Sequence, residues 1–437
     1  MSAAEDLNRV LEATSPALAG LLSPLGRAAY FPQDIPFQAA EARGTRYNGT
    51  IGVFTDGAGH AVPLPSMADA LDLSGDERDR AFLYSPVLGV PAVREAWRRW
   101  QRTEQGDSPV PDEVPSSLPV VTCGLSHGLS LVADLFGGPG RKLALTTPFW
   151  GNYRQVFSLR TGVELVIEPA YGTDRRFDPK ALRRALGALP EGEPALALAN
   201  FPSNPGGYAP TAIERARLVE GLVAEAERRP LAVICDDAYG GLAYAEDAPN
   251  SSIFWDLAGL HPNLVPIKID GATKEFGFFG GRVGFLTFGA DLEDEARQAI
   301  ESKIASLVRS TLGSPVATSQ MVLLRSLAGG QALAEVSEIR RIARERYGAV
   351  RPALEALDPG LLRLLPFNAG FFVLMELADG LGLDPHDVRR HLIEKHDTGV
   401  VSSSPNYLRL AICSVAAEDL PETVRRIEQG VRELAGG

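Results

Sequence analysis

The amino-acid sequence predicts an α/β fold in which a large domain holds a mostly parallel seven-stranded sheet and a smaller α+β domain lies beside it. Three observations carry that prediction. Between about residues 117 and 290, seven short β-branched runs recur, separated by longer stretches with helical spacing of apolar positions. Such alternation marks strands buried between helices. After about residue 315 the rhythm changes to long helical stretches with two strand-like runs. Finally, 437 residues exceed what one hydrophobic core comfortably holds, so a second domain is expected.

Residues 1–84 are rich in Pro and Gly, hold at most one long helix, and read as an N-terminal arm that joins the small domain. Residues 85–315 form the large domain, with strands at 119–122, 143–147, 164–167, 195–199, 231–235, 264–269 and 283–288. Residues 316–437 form the small domain, with a helix over 332–357, strands at 371–376 and 408–412, and a closing helix from Glu418. Polar residues follow several of the large-domain runs directly. Ligands of such sheets bind beyond the carboxyl ends of the strands, so the site is expected there.

Composition narrows the function. The chain has 43 basic and 55 acidic residues, and the resulting charge of −12 repels polyanions and argues against nucleic acid as a partner. Arg94, Arg98, Arg99 and Arg102 alternate with Trp97 and Trp100 and read as a solvated helix face. No stretch approaches the roughly 18 uninterrupted apolar residues of a membrane helix. The first residues lack the basic segment and apolar run of a secretory signal, so a cytoplasmic protein is expected. Cys123, Cys235 and Cys413 lie in or beside apolar runs without a Cys-x-x-Cys pair and read as buried free thiols. No metal site is expected.

The most informative residue is Lys274, in Ile267-Lys-Ile-Asp-Gly-Ala-Thr-Lys. A lysine just past a buried strand can lose its charge through desolvation, and the neutral amine is a nucleophile. Eight residues on, Arg282 sits in Gly280-Gly-Arg-Val-Gly, where glycines let the backbone approach a ligand and a guanidinium can grip phosphate. Upstream, Val233-Ile-Cys-Asp-Asp-Ala-Tyr ends a strand in Asp236, suited to hold a pyridine nitrogen protonated, and Tyr239, suited to donate to a phenolate oxygen. The acidic pair could equally bind a metal, but no His or Cys cluster accompanies it. Asn200-Phe-Pro-Ser-Asn-Pro-Gly-Gly-Tyr specifies a rigid turn presenting Asn204, and Trp150 in Pro148-Phe-Trp-Gly-Asn-Tyr offers an aromatic face near a third strand end.

In this order the segments resemble the class I (aspartate and aromatic) aminotransferases of the fold-type-I family that uses pyridoxal 5′-phosphate (PLP). The resemblance runs from about residue 48 to 409 through Ile51-Gly-Val-Phe, Tyr84-Ser-Pro-Val-Leu-Gly, Pro148-Phe-Trp-Gly-Asn, Asn204-Pro-Gly-Gly, Asp236-Asp-Ala-Tyr, Thr273-Lys274 with Arg282, and Tyr407-Leu-Arg-Leu-Ala. It implies that Lys274 holds PLP as a Schiff base and serves as acid and base. Asp236 would pair with the pyridine nitrogen, Tyr239 and Asn204 with the phenolic oxygen, and Trp150 would stack on the ring. The Leu125 amide, Ser126, Thr273 and Arg282 would take the phosphate, joined by Tyr84 of a partner subunit in a homodimer with shared sites. Gly52 and Arg409 would bind the substrate α-carboxylate.

The family segment that Leu307-Val-Arg-Ser-Thr-Leu-Gly-Ser-Pro resembles has an arginine that reaches across the dimer to a dicarboxylate. Arg309 would then read the side chain of aspartate or glutamate, with aromatic amino acids as further donors and 2-oxoglutarate as acceptor in ping-pong turnover. Two positions depart from the pattern. Gly206 stands where Thr is usual and Gly271 where a phosphate-binding Ser is common, each removing a hydroxyl.

A rival reading starts from Gly124-Leu-Ser-His-Gly, which matches the nucleophile elbow of serine hydrolases with Ser126 as nucleophile. His261, His386, His391 and His396 are available as bases, but the last three fall in a charged helical pattern that reads as a solvated face. The hydrolase reading leaves Lys274, Arg282, Asp236, Tyr239 and Asn204 without a shared purpose, and the PLP reading uses Ser126 as well. Within the PLP group, a lyase or decarboxylase is the alternative to transamination.

Overall fold

The computed structural model describes residues 3–103, 109–403 and 405–436. Strand β1 (Tyr47–Asn48) lies in the arm. Strands β2 (Val120–Thr122), β3 (Lys142–Thr147), β4 (Glu164–Pro169), β5 (Ala195–Asn200), β6 (Leu231–Asp236), β7 (Leu264–Asp270) and β8 (Gly284–Phe288) form one sheet in the order β2-β8-β7-β6-β5-β3-β4. Only β8 runs against its neighbours, so the sheet is seven-stranded and mostly parallel.

The central strands read as unbroken apolar runs because helices cover both faces. On one face, Leu129 and Val132 of helix Leu125–Phe136 and Ile304 and Val308 of helix Asp294–Thr311 pack on Leu143, Ile267 and Leu286. On the other, helices Ala181–Gly187, Ala212–Ala226 and Ile253–Leu257 bring Leu182, Leu218, Leu222 and Phe254 against Ala197 and Val233. Helix Ala212–Ala226 starts where it does because Thr211 and Glu214 form a reciprocal capping box.

Toward the C-terminus, β9 (Leu362–Leu364), β10 (Phe372–Leu377), β11 (Thr398–Gly399), β12 (Val401–Ser403) and β13 (Tyr407–Ala411) alternate with long helices. An antiparallel sheet runs β12-β13-β10-β9, and β11 pairs in parallel with β1. Strands β1, β9, β11 and β12, of two or three residues each, lie outside the strands that the sequence predicts. One apolar cluster joins the arm (Phe54, Leu64), the sheet side (Trp97, Phe285) and the C-terminal elements (Tyr347, Val424). Among the described residues no helix is long and apolar enough to cross a membrane.

Three expectations need correction. The arginine face of helix Pro91–Thr103 is not solvated throughout, because Arg94 and Arg102 are buried. Arg94 donates to the Pro119 carbonyl and Glu301, and Arg102 to the carbonyls of Pro111 and Val114, so they clamp the chain that leads into β2. On helix Pro385–His396, His396 is buried, and it and His391 each lie with Nε2 2.9 Å from the same Glu433 oxygen. Cys235 and Cys413 are buried thiols, whereas Cys123 is only half-buried.

Candidate active site

Three strands of the large sheet end at one cavity of about 300 Å³, and the residues just past those ends line it. Asp236 closes β6 and is buried. Its Oδ2 accepts a 2.6 Å hydrogen bond from the Tyr153 phenol and its Oδ1 one of 3.2 Å from the Ala238 amide. Burial pushes this carboxyl up to about 6 against the pull of those two donors. Three residues on, the buried Tyr239 packs edge-on against Phe371 and Phe372. Burial raises its phenol well above the usual range, so it stays a donor.

Asn200 ends β5 and ties two pieces of the site together. Its Nδ2 donates to the Asp236 carbonyl, and its Oδ1 accepts the Asn204 amide, each at 2.8 Å. The turn thereby holds the Asn204 side chain in the cavity, where its Oδ1 accepts from Arg409 Nη1 at 3.3 Å. At Gly206 a Cβ would lie 2.8 Å from the Tyr171 hydroxyl and 2.7 Å from Ser203 Oγ. Those hydroxyls fill the space a threonine would need.

Past β7, Gly271 opens the short helix Ala272–Glu275 that carries Thr273 and Lys274. A Cβ at Gly271 would meet the Val283 carbonyl oxygen at 2.5 Å and Gly284 Cα at 2.7 Å, both backbone, so the close crossing of β7 and β8 excludes any side chain. Lys274 opens onto the cavity but is otherwise enclosed, and desolvation brings its amine down to about 8. Its Nζ donates to the Gly52 carbonyl at 3.0 Å. Gly52 belongs to an arm segment that crosses Phe372 so closely that a Cβ would lie 2.5 Å from the ring.

Two positively charged groups bracket the cavity. Arg282 takes a left-handed backbone conformation, and its guanidinium presses on Gly124, where a Cβ would lie 2.4 Å from Nη2. Gly124 precedes helix Leu125–Phe136, so the first-turn amides of Leu125 and Ser126 face the same corner without intrahelical acceptors. At the other end Arg409, buried on β13, donates to the Thr50 carbonyl at 2.6 Å and stacks 4.2 Å above the Phe372 ring. Burial lowers it to about 10, which leaves it charged at neutral pH.

Thr273 Oγ1 and Arg409 Nε are buried without a hydrogen-bond partner. Orphaned donors at both ends, with glycine-shaped room beside Arg282, fit a ligand that is anionic at each end.

The cavity thus brings together Gly52, Leu125, Ser126, Trp150, Asn204, Asp236, Tyr239, Thr273, Lys274, Arg282 and Arg409. Two candidates stay outside it: Tyr84 is 97% exposed, and Arg309 is exposed near the end of helix Asp294–Thr311. Among the lining residues without a role from sequence are Ile35, Tyr153, Asn200 and Phe372. Tyr153 and Asn200 stood in quoted motifs, at the end of Pro148-Phe-Trp-Gly-Asn-Tyr and the head of the Asn200 loop. Ile35 sits in the proline-rich arm, where no pattern marks it.

No histidine is among the lining residues described, and the adjacent His127 is brought down to about 4 by burial while its Nδ1 accepts the Cys123 amide. Ser126 therefore has no base of hydrolase type beside it. Away from the cavity, His391, His396 and Glu433 have donor atoms within 4.8 Å of one another. Lys395, Arg425 and Arg426 line the same hollow and oppose a divalent cation there.

A parallel sheet with one reversed strand, ending in an enclosed amine beside a carboxylate with a guanidinium at either end of the cavity, is the arrangement of a transferase of the PLP fold-type-I class. The family model for aminotransferase class I and II matches residues 50–427, and the chain belongs to that family. Among curated relatives, the aspartate/prephenate aminotransferase of Thermus thermophilus is 26% identical over 307 residues, 70% of this chain and 71% of that one. An aminotransferase structure from Anaerococcus prevotii has a TM-score of 0.80 at 20% identity, covering 94% of this chain and 98% of that one. Kynurenine aminotransferase of Pyrococcus horikoshii, solved in complex with PMP, has a TM-score of 0.78 at 20% identity, covering 95% and 98%. Both structural likenesses concern the fold. The enzyme is an aminotransferase, and the hydrolase and lyase readings are not favoured.

Proposed function

We propose that this aminotransferase works with PLP attached to Lys274 and moves an amino group from aspartate, glutamate or an aromatic amino acid to a 2-oxo acid such as 2-oxoglutarate. The observation that carries the reading is a single enclosed amine, brought down to about 8, sharing one cavity with Asp236, Tyr239, Asn204, Arg282 and Arg409. When bound, the cofactor supplies a sink for the electron pair left at Cα after an α-proton is taken.

The chain's own groups divide the remaining work. Lys274 Nζ, with its pKa lowered to about 8, takes the proton from the substrate Cα and would deliver it to the cofactor's C4′. Asp236 holds a proton on the ring nitrogen, Tyr239 and Asn204 donate to the phenolic oxygen, and Trp150 covers a ring face. The Leu125 amide, Ser126, Thr273 and Arg282 hold the phosphate, with Thr273 Oγ1 among the donors that otherwise lack a partner. Arg409, already fixed by Thr50 and Phe372, grips the α-carboxylate beside Gly52.

The unit is a homodimer with shared sites. Phe82, Leu83 and Tyr84 are all strongly exposed, an apolar step suited to lie against a second copy with Tyr84 entering its phosphate corner. Arg309 of the second copy would read a distal carboxylate, in keeping with a relative named for aspartate. Cytoplasmic location and the division at residues 84 and 315 belong to the same proposal.

Borohydride reduction of the PLP-loaded enzyme followed by peptide mapping tests the reading. The label is expected on Lys274. A label on another lysine, or none, overturns it.

A further inference from the structure

Asp236 is a fully enclosed carboxylate on which the proposed chemistry depends, and burial works against its charge. The groups facing it are few. From its own strand comes Asp237, a like charge one residue on that favours the neutral form of Asp236. That charge is engaged elsewhere: Asp237 Oδ2 accepts from Ser252 Oγ at 2.5 Å and from the fully buried Lys268, which also lies 3.7 Å from Asp270. From the turn after β7 comes Lys274, whose amine favours the charged form. From the cavity side comes Tyr239, and from the element after Trp150 comes Tyr153.

Tyr153 makes the one side-chain hydrogen bond recorded to the Asp236 carboxylate among the described residues, at 2.6 Å. Its ring is held edge-on by Trp150 at 5.5 Å and stacked near Phe149 at 6.3 Å, with 1% of its surface exposed. Burial first, and then the neighbouring Asp236 charge, hold the phenol far above neutrality, so it donates at every working pH. The chain immediately after it, Arg154–Leu159, is a π-helix, a rare widening of the helical turn found often at functional sites.

We propose that Tyr153 is the positioning residue that keeps Asp236 ionised and aimed, by donating its phenolic O–H to one carboxylate oxygen and leaving free lone pairs for the cofactor's ring nitrogen. The inference rests on the PLP reading for its purpose, but not for its first measurement. A carboxylate accepts at about four lone-pair sites. Tyr153 and the Ala238 amide occupy two, which fixes the carboxylate plane and leaves acceptor capacity for a third donor.

The test is Tyr153→Phe in the full-length protein, which removes one oxygen and keeps the ring contacts with Trp150 and Phe149. An infrared titration of the cofactor-free protein, with the Asp236 band assigned by Asp236→Asn, should move the carboxyl midpoint upward by about one to two pH units, the equivalent of one charge-assisted hydrogen bond. In the loaded enzyme the acid limb of kcat should move the same way while KM changes little, because the phenol grips Asp236 and not the substrate. PLP affinity should fall on Tyr153→Phe in the native background and stay unchanged in the Asp236→Asn background. An unmoved midpoint, or equal loss of PLP affinity in both backgrounds, overturns the proposal. If borohydride labels Lys274 and the midpoint is unmoved, only this inference fails; if Lys274 is not labelled, the PLP reading fails whatever Tyr153 does.

Discussion

On the sheet side of the cavity, Asn204, Asp236, Tyr239, Thr273 and Lys274 sit at or just past the ends of β5, β6 and β7, each held by neighbours within the same subunit. On the outer side, Ile35 and Gly52 come from the arm and Arg409 from β13, while Tyr84 and Arg309 stand in solvent. The first wall is positioned by parallel strand pairing and a low-dielectric core, which place a side chain before any ligand arrives. The second is assembled from distant pieces of chain and, in our reading, a second subunit. Damage to the first should therefore be all-or-none, and damage to the second graded and dependent on the substrate.

Lys274→Ala gives the largest expected effect: no turnover measurable by oxo-acid formation with any donor. Its companion is a pH measurement on the cofactor-free protein. The rate of PLP capture should rise about tenfold per pH unit below about 8 and level off above it, because only the neutral amine attacks and desolvation has brought that amine to about 8. A profile still climbing through pH 10 would mean an ordinary lysine.

The outer wall is tested by mixing subunits. Heterodimers of a Tyr84→Ala subunit and a Lys274→Ala subunit should be more active than either parent homodimer, because one of the two sites pairs an intact Lys274 with an intact Tyr84 from across the interface. An active monomer, or verified heterodimers without recovery, would move Tyr84 out of the site. Next in size, Arg309→Ala should lower kcat/KM for aspartate or glutamate by about one to two powers of ten and leave an aromatic donor far less affected, since a charge-assisted hydrogen bond is worth about 1.5–3 kcal/mol. Equal losses for both donors would show that Arg309 does not sort substrates.

The smallest expected effect returns to the sheet wall. Gly271→Ser restores a hydroxyl common in the family, yet its Cβ would press on the Val283 carbonyl and Gly284. Chemical denaturation should register about 1–3 kcal/mol of lost stability from this overpacking, and PLP should bind no more tightly. Unchanged stability with tighter binding would mean that the strand crossing yields.

The same contrast explains how much could be read in advance. Runs such as Ala-Leu-Ala-Leu-Ala and Leu-Ala-Val-Ile-Cys announce buried parallel strands, and the polar residues that end them announce the site, because both signals are local in sequence. Tyr153 had no such signal: its role depends on a hydrogen bond to a residue 83 positions away. Arg94 and Arg102 resemble a solvated face until backbone carbonyls of Pro119, Pro111 and Val114 are found to accept from them. Periodicity reports which side of a helix is charged, but not whether carbonyls wait opposite.

The segment from Tyr47 to Thr55 has one more consequence, for the order in which the enzyme is made. It is sewn in place by the other end of the chain. The Asp397 carbonyl accepts the Tyr47 amide, the Ala411 amide donates to the Gly49 carbonyl, the Cys413 carbonyl accepts the Thr55 amide, and Arg409 donates to Thr50. A ribosome that has finished β8 has already produced Lys274, Asp236 and the whole large sheet, but these partners of the Tyr47–Thr55 segment lie more than a hundred residues further along the chain. Closing contacts across some 359 positions is slow, because the loop entropy is lost before the contacts repay it. Lys274 is thus synthesised well before the contacts that fix the Gly52 segment over it, and the pocket should be the last part of a newborn chain to mature.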